Sequence, residues 1–185
     1  MKNEPLCHAP CPIARSLGRI GDSWSMMILR DACSGFTRFD EFQKSANVAP
    51  NILSRRLKEL VDDGLLEKVC YSSAPPRYEY HLTARGHDFR PVLLALAEWG
   101  NRHFAPEGEQ IHLVESETQR RVEPILVDKA TGQPITPEKY RMIPGPAASP
   151  LMRYRHDYLE RKRAGDNGQK FLPQHYSGAS PEAGQ

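Results

Sequence analysis

Asn51, Arg55 and Lys58 stand four and three residues apart, a spacing that puts them on one face of a helix. These residue types can read duplex DNA. An asparagine amide pairs bidentately with adenine N6 and N7, a guanidinium with guanine O6 and N7, and an ammonium neutralises a phosphate. Ser54 and Arg56 flank the face, and Glu59 and Asp62 share it. The two carboxylates would repel phosphate unless they lie at the end away from DNA, and a charged outer face is most often simply solvated. Arg77 follows a Ser/Pro-rich loop, SSAPP, where a projecting hairpin would meet phosphate or minor groove. Arg38 and Lys44 are further candidates for contacts to the DNA backbone.

A second chemistry is suggested near the start of the chain. Pro12 suits the first position of a helix, which leaves Cys11 as its capping residue. The Cys11 sulfur is then expected at the positive helix end, with Arg15 one turn on and His8 just upstream. Those surroundings favour thiolate, the reactive form; the plainer alternative is a small half-buried residue. Cys7 is close enough to act as a resolving thiol. Zinc is not expected on Cys7, His8 and Cys11, because no second pair of ligands lies nearby. Cys33 in a helix and Cys70 in a strand are expected to be small buried residues. His81, His87, His103, His112, His156 and His175 show no ligand or catalytic spacing. No nucleophile elbow, Walker loop, dinucleotide fingerprint or metalloprotease motif occurs, so neither an enzyme nor a cofactor is expected.

Apolar periodicity and helix punctuation supply the elements that must position these residues. Ile13, Leu17 and Ile20 mark a helix from Pro12, and Asp22 or Ser23 caps a second, WSMMILRDAC. Phe36 to Phe39 could form a minimal strand, followed by a short helix, FDEFQKS. Pro50 opens and Gly64 closes the best-defined helix, with Leu53, Leu57, Leu60 and Val61 on its inner side. Residues 65–71 and 77–82 read as strands of a hairpin across SSAPP. Thr83 is predicted to cap one unbroken helix to Phe104. The apolar residues of that helix cover so wide an arc that a second body, expected to be another subunit, must cover part of it. Further on, VESETQRRVEP (114–124) and VDKATGQPITP (127–137) align at a period of 13. They read as one small β-hairpin module with Thr131-Gly132 as a turn. IPGPAASP is a linker, Ser149 caps a helix over SPLMRYRHDYLERKRA, and the composition from Gly165 favours disorder.

Bulk properties narrow the compartment more than the partner. The chain of 185 residues has 25 basic and 23 acidic side chains, a net charge of +2. Residues 1–104 hold 14 and 12 of these and residues 105–185 hold 11 and 11, so charge must be argued face by face. The longest apolar run, Val92 to Ala97, is far too short to span a membrane, and the N-terminus does not read as a secretory signal. Four cysteines without framework spacing point to a reducing cytosol.

Helix, helix, short strand, helix, helix, hairpin, helix is the order of a winged helix-turn-helix, in which helix 49–63 would enter the major groove. CPIARSLGRIGDSWSMMILRDACSGFTRFDEFQKS, NILSRRLKELVDDGLLEK and PPRYEYHLTARGHDFRPVLLALAEWG together resemble the HxlR-type winged-helix regulators, relatives of the MarR group, over about Cys11 to Gly100. The resemblance implies a homodimeric bacterial transcription regulator, dimerised through terminal helices. It places Asn51, Ser54, Arg55, Lys58 and Arg77 at recognition-helix and wing positions. It also implies that a cysteine before this proline, here Cys11, detects oxidants and electrophiles. One departure is Ala49, where relatives often carry Ser or Thr; this removes a capping oxygen worth about 1 kcal/mol. Some relatives carry cysteine-bearing C-terminal extensions, and the module 114–137 has no cysteine.

The expected fold class is therefore α+β, mainly helical. A winged helix-turn-helix domain with a β-hairpin wing (11–105) follows an N-terminal arm (1–10) and precedes a C-terminal β-hairpin-like extension (106–147) and a short helix with a tail (148–185). The expected function is that of a cytoplasmic homodimeric repressor on a pseudo-palindromic operator in double-stranded DNA, with half-sites about 34–36 Å apart. Its expected DNA contacts are Asn51, Ser54, Arg55, Arg56, Lys58, Arg77 and Arg38, with redox sensing at Cys11 and no metal or membrane partner. One alternative is a winged-helix protein-interaction module without specific DNA binding. Another is a regulator gated by a small ligand among Trp24, Trp99 and Phe104 at the dimer interface. The run ERKRA (160–164) reads either as a contact to DNA phosphate or as a solvated helix end.

Overall fold

Three helices pack over the foot of a two-stranded hairpin to make the main core of this chain. The computed structural model describes residues 4–166. Contacts divide the chain into two compact units: Arg19–Lys139, and the two ends up to Gly18 and from Tyr140. The expected extension 106–147 is therefore split at Lys139. The tail expected to be disordered lies, beyond Asp166, outside the described residues, as does His175. Among the described residues no helix is long and apolar enough to cross a membrane.

In chain order the elements are α1 (Glu4–Cys7), α2 (Pro12–Ile20), α3 (Ser23–Cys33), α4 (Phe39–Ala46), α5 (Pro50–Asp62), β1 (Leu66–Ser73), β2 (Pro76–Leu82), α6 (Ala84–His87), α7 (Arg90–Phe104) and α8 (Pro150–Arg163). The turn α1 lies in the stretch expected to be an arm. Ile28 and Leu29 of α3, Phe42 of α4, Leu53, Leu57 and Leu60 of α5 and Leu66 of β1 are fully buried together. Burying each contributes about 1.5–3 kcal/mol, which fixes α5 against α3 and α4.

Local chemistry sets the ends of these elements. The Asp22 carboxylate accepts from the Ser25 amide at 3.0 Å and the Ser25 hydroxyl at 2.6 Å, capping α3. Asn47, left-handed at φ 48°, turns the chain between α4 and α5. Phe36–Phe39, expected as a minimal strand, provides a single bridge from Arg38 to Glu79, and the Tyr80 amide donates to the Thr37 carbonyl at 2.8 Å. β1 and β2 form the antiparallel wing, pairing Leu66 with Leu82 and Cys70 with Tyr78, with a bulge between Cys70 and Ser72.

The helix expected to run unbroken from Thr83 to Phe104 is instead two. Thr83 does cap α6, accepting from the Gly86 amide at 3.2 Å. However, Pro91 has no N–H to offer the His87 carbonyl, so the chain bends at Asp88–Phe89 and Pro91 sits in the first turn of α7. Cys70, expected to be buried, is exposed, because beyond its foot the two-stranded wing has no layer on either face. Cys33 is half-buried, and burial pushes its thiol pKa up.

The extension is not one hairpin either. It is two successive closed turns whose hydrogen bonds repeat at the 13-residue offset. The Val122 amide donates to Leu113 O at 2.8 Å and the Ile135 amide to Leu126 O at 2.9 Å. Glu115 N to Arg120 O is matched by Asp128 N to Gln133 O, both at 2.9 Å. The Thr118 hydroxyl donates to the Glu115 carboxylate as Thr131 does to Asp128. Left-handed residues at equivalent places, Gln119 (φ 57°) and Gly132 (φ 68°), fold each copy back on itself before the two can pair.

In the unit formed by the chain ends, the end of α1 lies so close to α2 that a Cβ on Gly18 would stand 2.6 Å from Cys7 N. The Ser149 hydroxyl accepts from the Met152 amide and caps α8.

Candidate nucleic-acid interface

The recognition-helix candidate α5 presents its faces unequally. Leu53, Leu57 and Leu60 turn inward, while Asn51, Ser54, Arg55 and Lys58 are exposed. Asn51, Ser54 and Arg55 fall in the first two turns, where α5 starts at Pro50 without any side-chain cap, as the alanine at position 49 predicts. The Arg55 guanidinium is in no ion pair among the described residues. Lys58, one turn further, is held by Asp62 at 2.5 Å, so a phosphate there would compete with an existing carboxylate.

Arg56, expected among the DNA contacts, is a correction. It is only 4% exposed. Its guanidinium lies 3.0 Å from Asp22 and 2.6 Å from Glu59. The reason is geometric: position 56 neighbours Leu53, Leu57 and Leu60 on the inner side, and two carboxylates wait there to neutralise it. Glu59, expected to face outward, is half-buried in the same cluster. One of the two carboxylates expected to repel phosphate is thus spent on an internal cation.

The wing carries its own arrangement of cations. Arg77 is exposed one residue past the tip, opposite Ser72. Arg38 is exposed but bonded to Glu79 at 3.1 Å, and it stacks 5.1 Å from the Tyr71 ring centroid. The Glu79 hydrogen bond raises the Arg38 pKa, and the charge pair ties the entry of α4 to β2. His81 lies 3.3 Å from the same carboxylate. Lys44 pairs with Asp40 at 3.5 Å. Sequence reasoning missed Lys68, which lies 3.8 Å from the Tyr78 ring centroid on the exposed wing. Its place between Glu67 and Val69 in a strand gave no sign that the wing is exposed on both faces.

Two of the four cysteines, Cys7 and Cys11, stand near the start of the chain. The Arg15 amide donates to Cys11 O at 3.0 Å, so Cys11 does stand at the cap of α2, where it is half-buried. The Arg15 guanidinium donates to the Ala9 carbonyl at 2.5 Å. Cys7 is buried against Gly18. Among the described residues no group of three or more His, Cys, Asp or Glu side chains could hold a metal ion. Of the aromatic residues, Trp99 and Phe104 pack edge-to-face at 4.8 Å on α7, and Trp24 packs against the core.

Residues 19–108 match the HxlR-like helix-turn-helix family model. A helix-turn-helix transcriptional regulator of Mycobacterium tuberculosis is 35% identical over 135 residues, which are 72% of this chain and 85% of the relative. A solved structure assigned as a transcription factor of Pseudomonas aeruginosa is similar at 50% identity. It covers 78% of this chain and 99% of its own, with a TM-score of 0.58. A second, assigned as the transcription factor PA1607, is similar at 41% identity over 74% of this chain and 96% of its own, with a TM-score of 0.67.

Proposed function

The chain belongs to the HxlR-like helix-turn-helix family and is a transcriptional regulator of that type, and from that premise we propose that it is a homodimeric repressor reading a pseudo-palindromic operator. In this reading Asn51, Ser54 and Arg55 contact base edges, Lys58 and Arg77 contact phosphate, and Arg38 sets the wing. The observation that carries it is the division of α5: the side chains able to read bases are exposed, while Arg56 is turned inward and neutralised. Base readout needs free donors and acceptors at the groove, and Asn51, Ser54 and Arg55 supply them.

The surface of α7 supports the homodimer. Val92, Leu96 and Trp99 form an exposed apolar stripe at i, i+4 and i+7, with Phe104 beside it, while Phe89 and Leu93 pack on the core. A helix apolar on a second face calls for a second body. A twofold pair would present the two α5 helices to half-sites about 34–36 Å apart. The placement of Cys11 at the cap of α2 supports thiol sensing as the input.

The test is binding to the gene's own upstream region against a random duplex, followed as salt rises. A DNA regulator binds the upstream region in preference and loses affinity with a log–log slope of about 0.9 per phosphate neutralised. No binding to either duplex at low salt would leave the protein-interaction reading instead.

A further inference from the structure

The positive charge of this chain is concentrated in one element outside the helix-turn-helix unit. α8 carries Arg153, Arg155, Arg161, Lys162 and Arg163 against Asp157 and Glu160, a surplus of three where the whole chain has a surplus of two. Without α8 the chain would hold 20 basic and 21 acidic side chains, taking five from 25 and two from 23. A polyanion approaching the chain therefore meets net attraction because of this helix.

Within α8 one ion pair, Arg163 with Glu160, removes one charge of each sign, and Asp157 stays exposed, so the surplus of three is unchanged. Glu160 is neutralised from two directions, by Arg163 at 2.6 Å and Arg141 at 3.0 Å, and these contacts hold its carboxyl below the usual range. Arg153 donates to the Pro146 carbonyl at 2.9 Å. Arg155, Arg161 and Lys162 are exposed and in no ion pair among the described residues. Arg155 and Lys162, seven residues apart, lie on one face about 10 Å apart along the axis. Cations in the last turn also complement the helix dipole, but that does not account for Arg155 at mid-helix.

We propose that α8 is a second, sequence-independent contact to the DNA backbone, with Arg155, Arg161 and Lys162 neutralising phosphates. It rests on the DNA-binding reading and deepens it: α5 supplies base selection, and α8 supplies a large share of the counterion release. Binding through phosphate alone is blind to sequence, so its loss must weaken specific and random duplexes alike.

The test uses the full chain with Arg155→Gln, Arg161→Gln and Lys162→Gln combined, beside the wild type and Arg55→Gln. Affinity is measured for an upstream-region duplex and a random duplex of equal length over a salt series, with circular dichroism confirming that α8 is retained. The expected result is a log–log salt slope reduced by about two to three, at about 0.9 per lost contact, with equal fold losses on both duplexes. A slope reduced by less than about one overturns the proposal, including where the wild type sediments with phosphatidylglycerol vesicles and the triple variant does not. A wild type that binds neither duplex would fail the DNA-binding reading itself. One that binds both with the slope of the triple variant fails only this assignment.

Discussion

Arg56 Nε lies 3.0 Å from Asp22 Oδ1, so the helix proposed to read DNA is fixed through its buried face to the residue that caps α3. The contact at Asp22 is one of charge, without an aligned hydrogen bond at Nε, whereas Nη1 donates to Glu59 Oε2 at 2.6 Å. Removing the guanidinium leaves two partly buried carboxylates without their shared cation. Arg56→Ala should cost about 3 kcal/mol, the low end for breaking a buried pair because both acids keep some exposure to water. Urea denaturation measures it. A loss below about 1 kcal/mol would show that Arg56 does not bind the two elements together.

Gly86 is required for space. A Cβ there would run into the Leu65 carbonyl oxygen and approach the Leu82 side chain to 2.8 Å. Gly86→Ala should destabilise by about 1–3 kcal/mol, because backbone on one side cannot give way. Gly100, helical in α7 with nothing within 4 Å of its Cβ position, is the contrast. Gly100→Ala should stabilise by about 1 kcal/mol from helix propensity alone. Thermal unfolding of the two variants should therefore move in opposite directions.

Acid should loosen the entry to α4. Glu41 accepts from the amides of Thr37 and Arg38, each at 2.9 Å, and these bonds hold its carboxyl below the ordinary glutamate range. With the folded pKa below the unfolded one, the contribution is complete at neutral pH and is lost as pH falls through the folded value. Glu41→Gln should be less stable than wild type at pH 7. The two stability curves should converge as pH drops below about 4, the usual range for this side chain. Parallel curves down to acid-induced unfolding would contradict the assignment.

Thiol chemistry must be assigned with Cys70 in mind. Cys70 is exposed on the wing, Cys11 half-buried and Cys7 buried, so alkylation should label Cys70 first and Cys7 last. In a Cys70→Ser background, modifying Cys11 should still weaken binding to the upstream region. Mass spectrometry with matched binding curves checks this. Unchanged affinity after complete Cys11 modification removes the redox reading.

The hairpin, helix α5 and the caps at Asp22, Thr83 and Ser149 were legible because each depends on local sequence: Pro50 and Gly64 bracket α5, and the breaker SSAPP holds the Ala74-Pro75 turn between the strands. Arg56 was not legible. Its helical angle places it at the flank of the apolar face, and only the tertiary positions of Asp22 and Glu59 decide that it turns inward. Cys70 was misjudged for a related reason, since a strand pattern does not say whether a second layer covers it. The 13-residue period was visible, but not its meaning. Equivalent left-handed turns at Gln119 and Gly132 close each copy separately, and a glutamine gives no sequence sign of that conformation.

The central claim is that α5 reads bases, and Arg55 tests it most directly. A competition titration compares wild type and Arg55→Ala on the upstream segment protected in a footprint and on a random duplex. A bidentate guanine contact predicts a loss of about 1–3 kcal/mol on the protected segment, roughly ten- to a hundredfold, and a much smaller loss on the random duplex. Equal losses on both would mean that Arg55 meets only phosphate, and would contradict base readout by this helix.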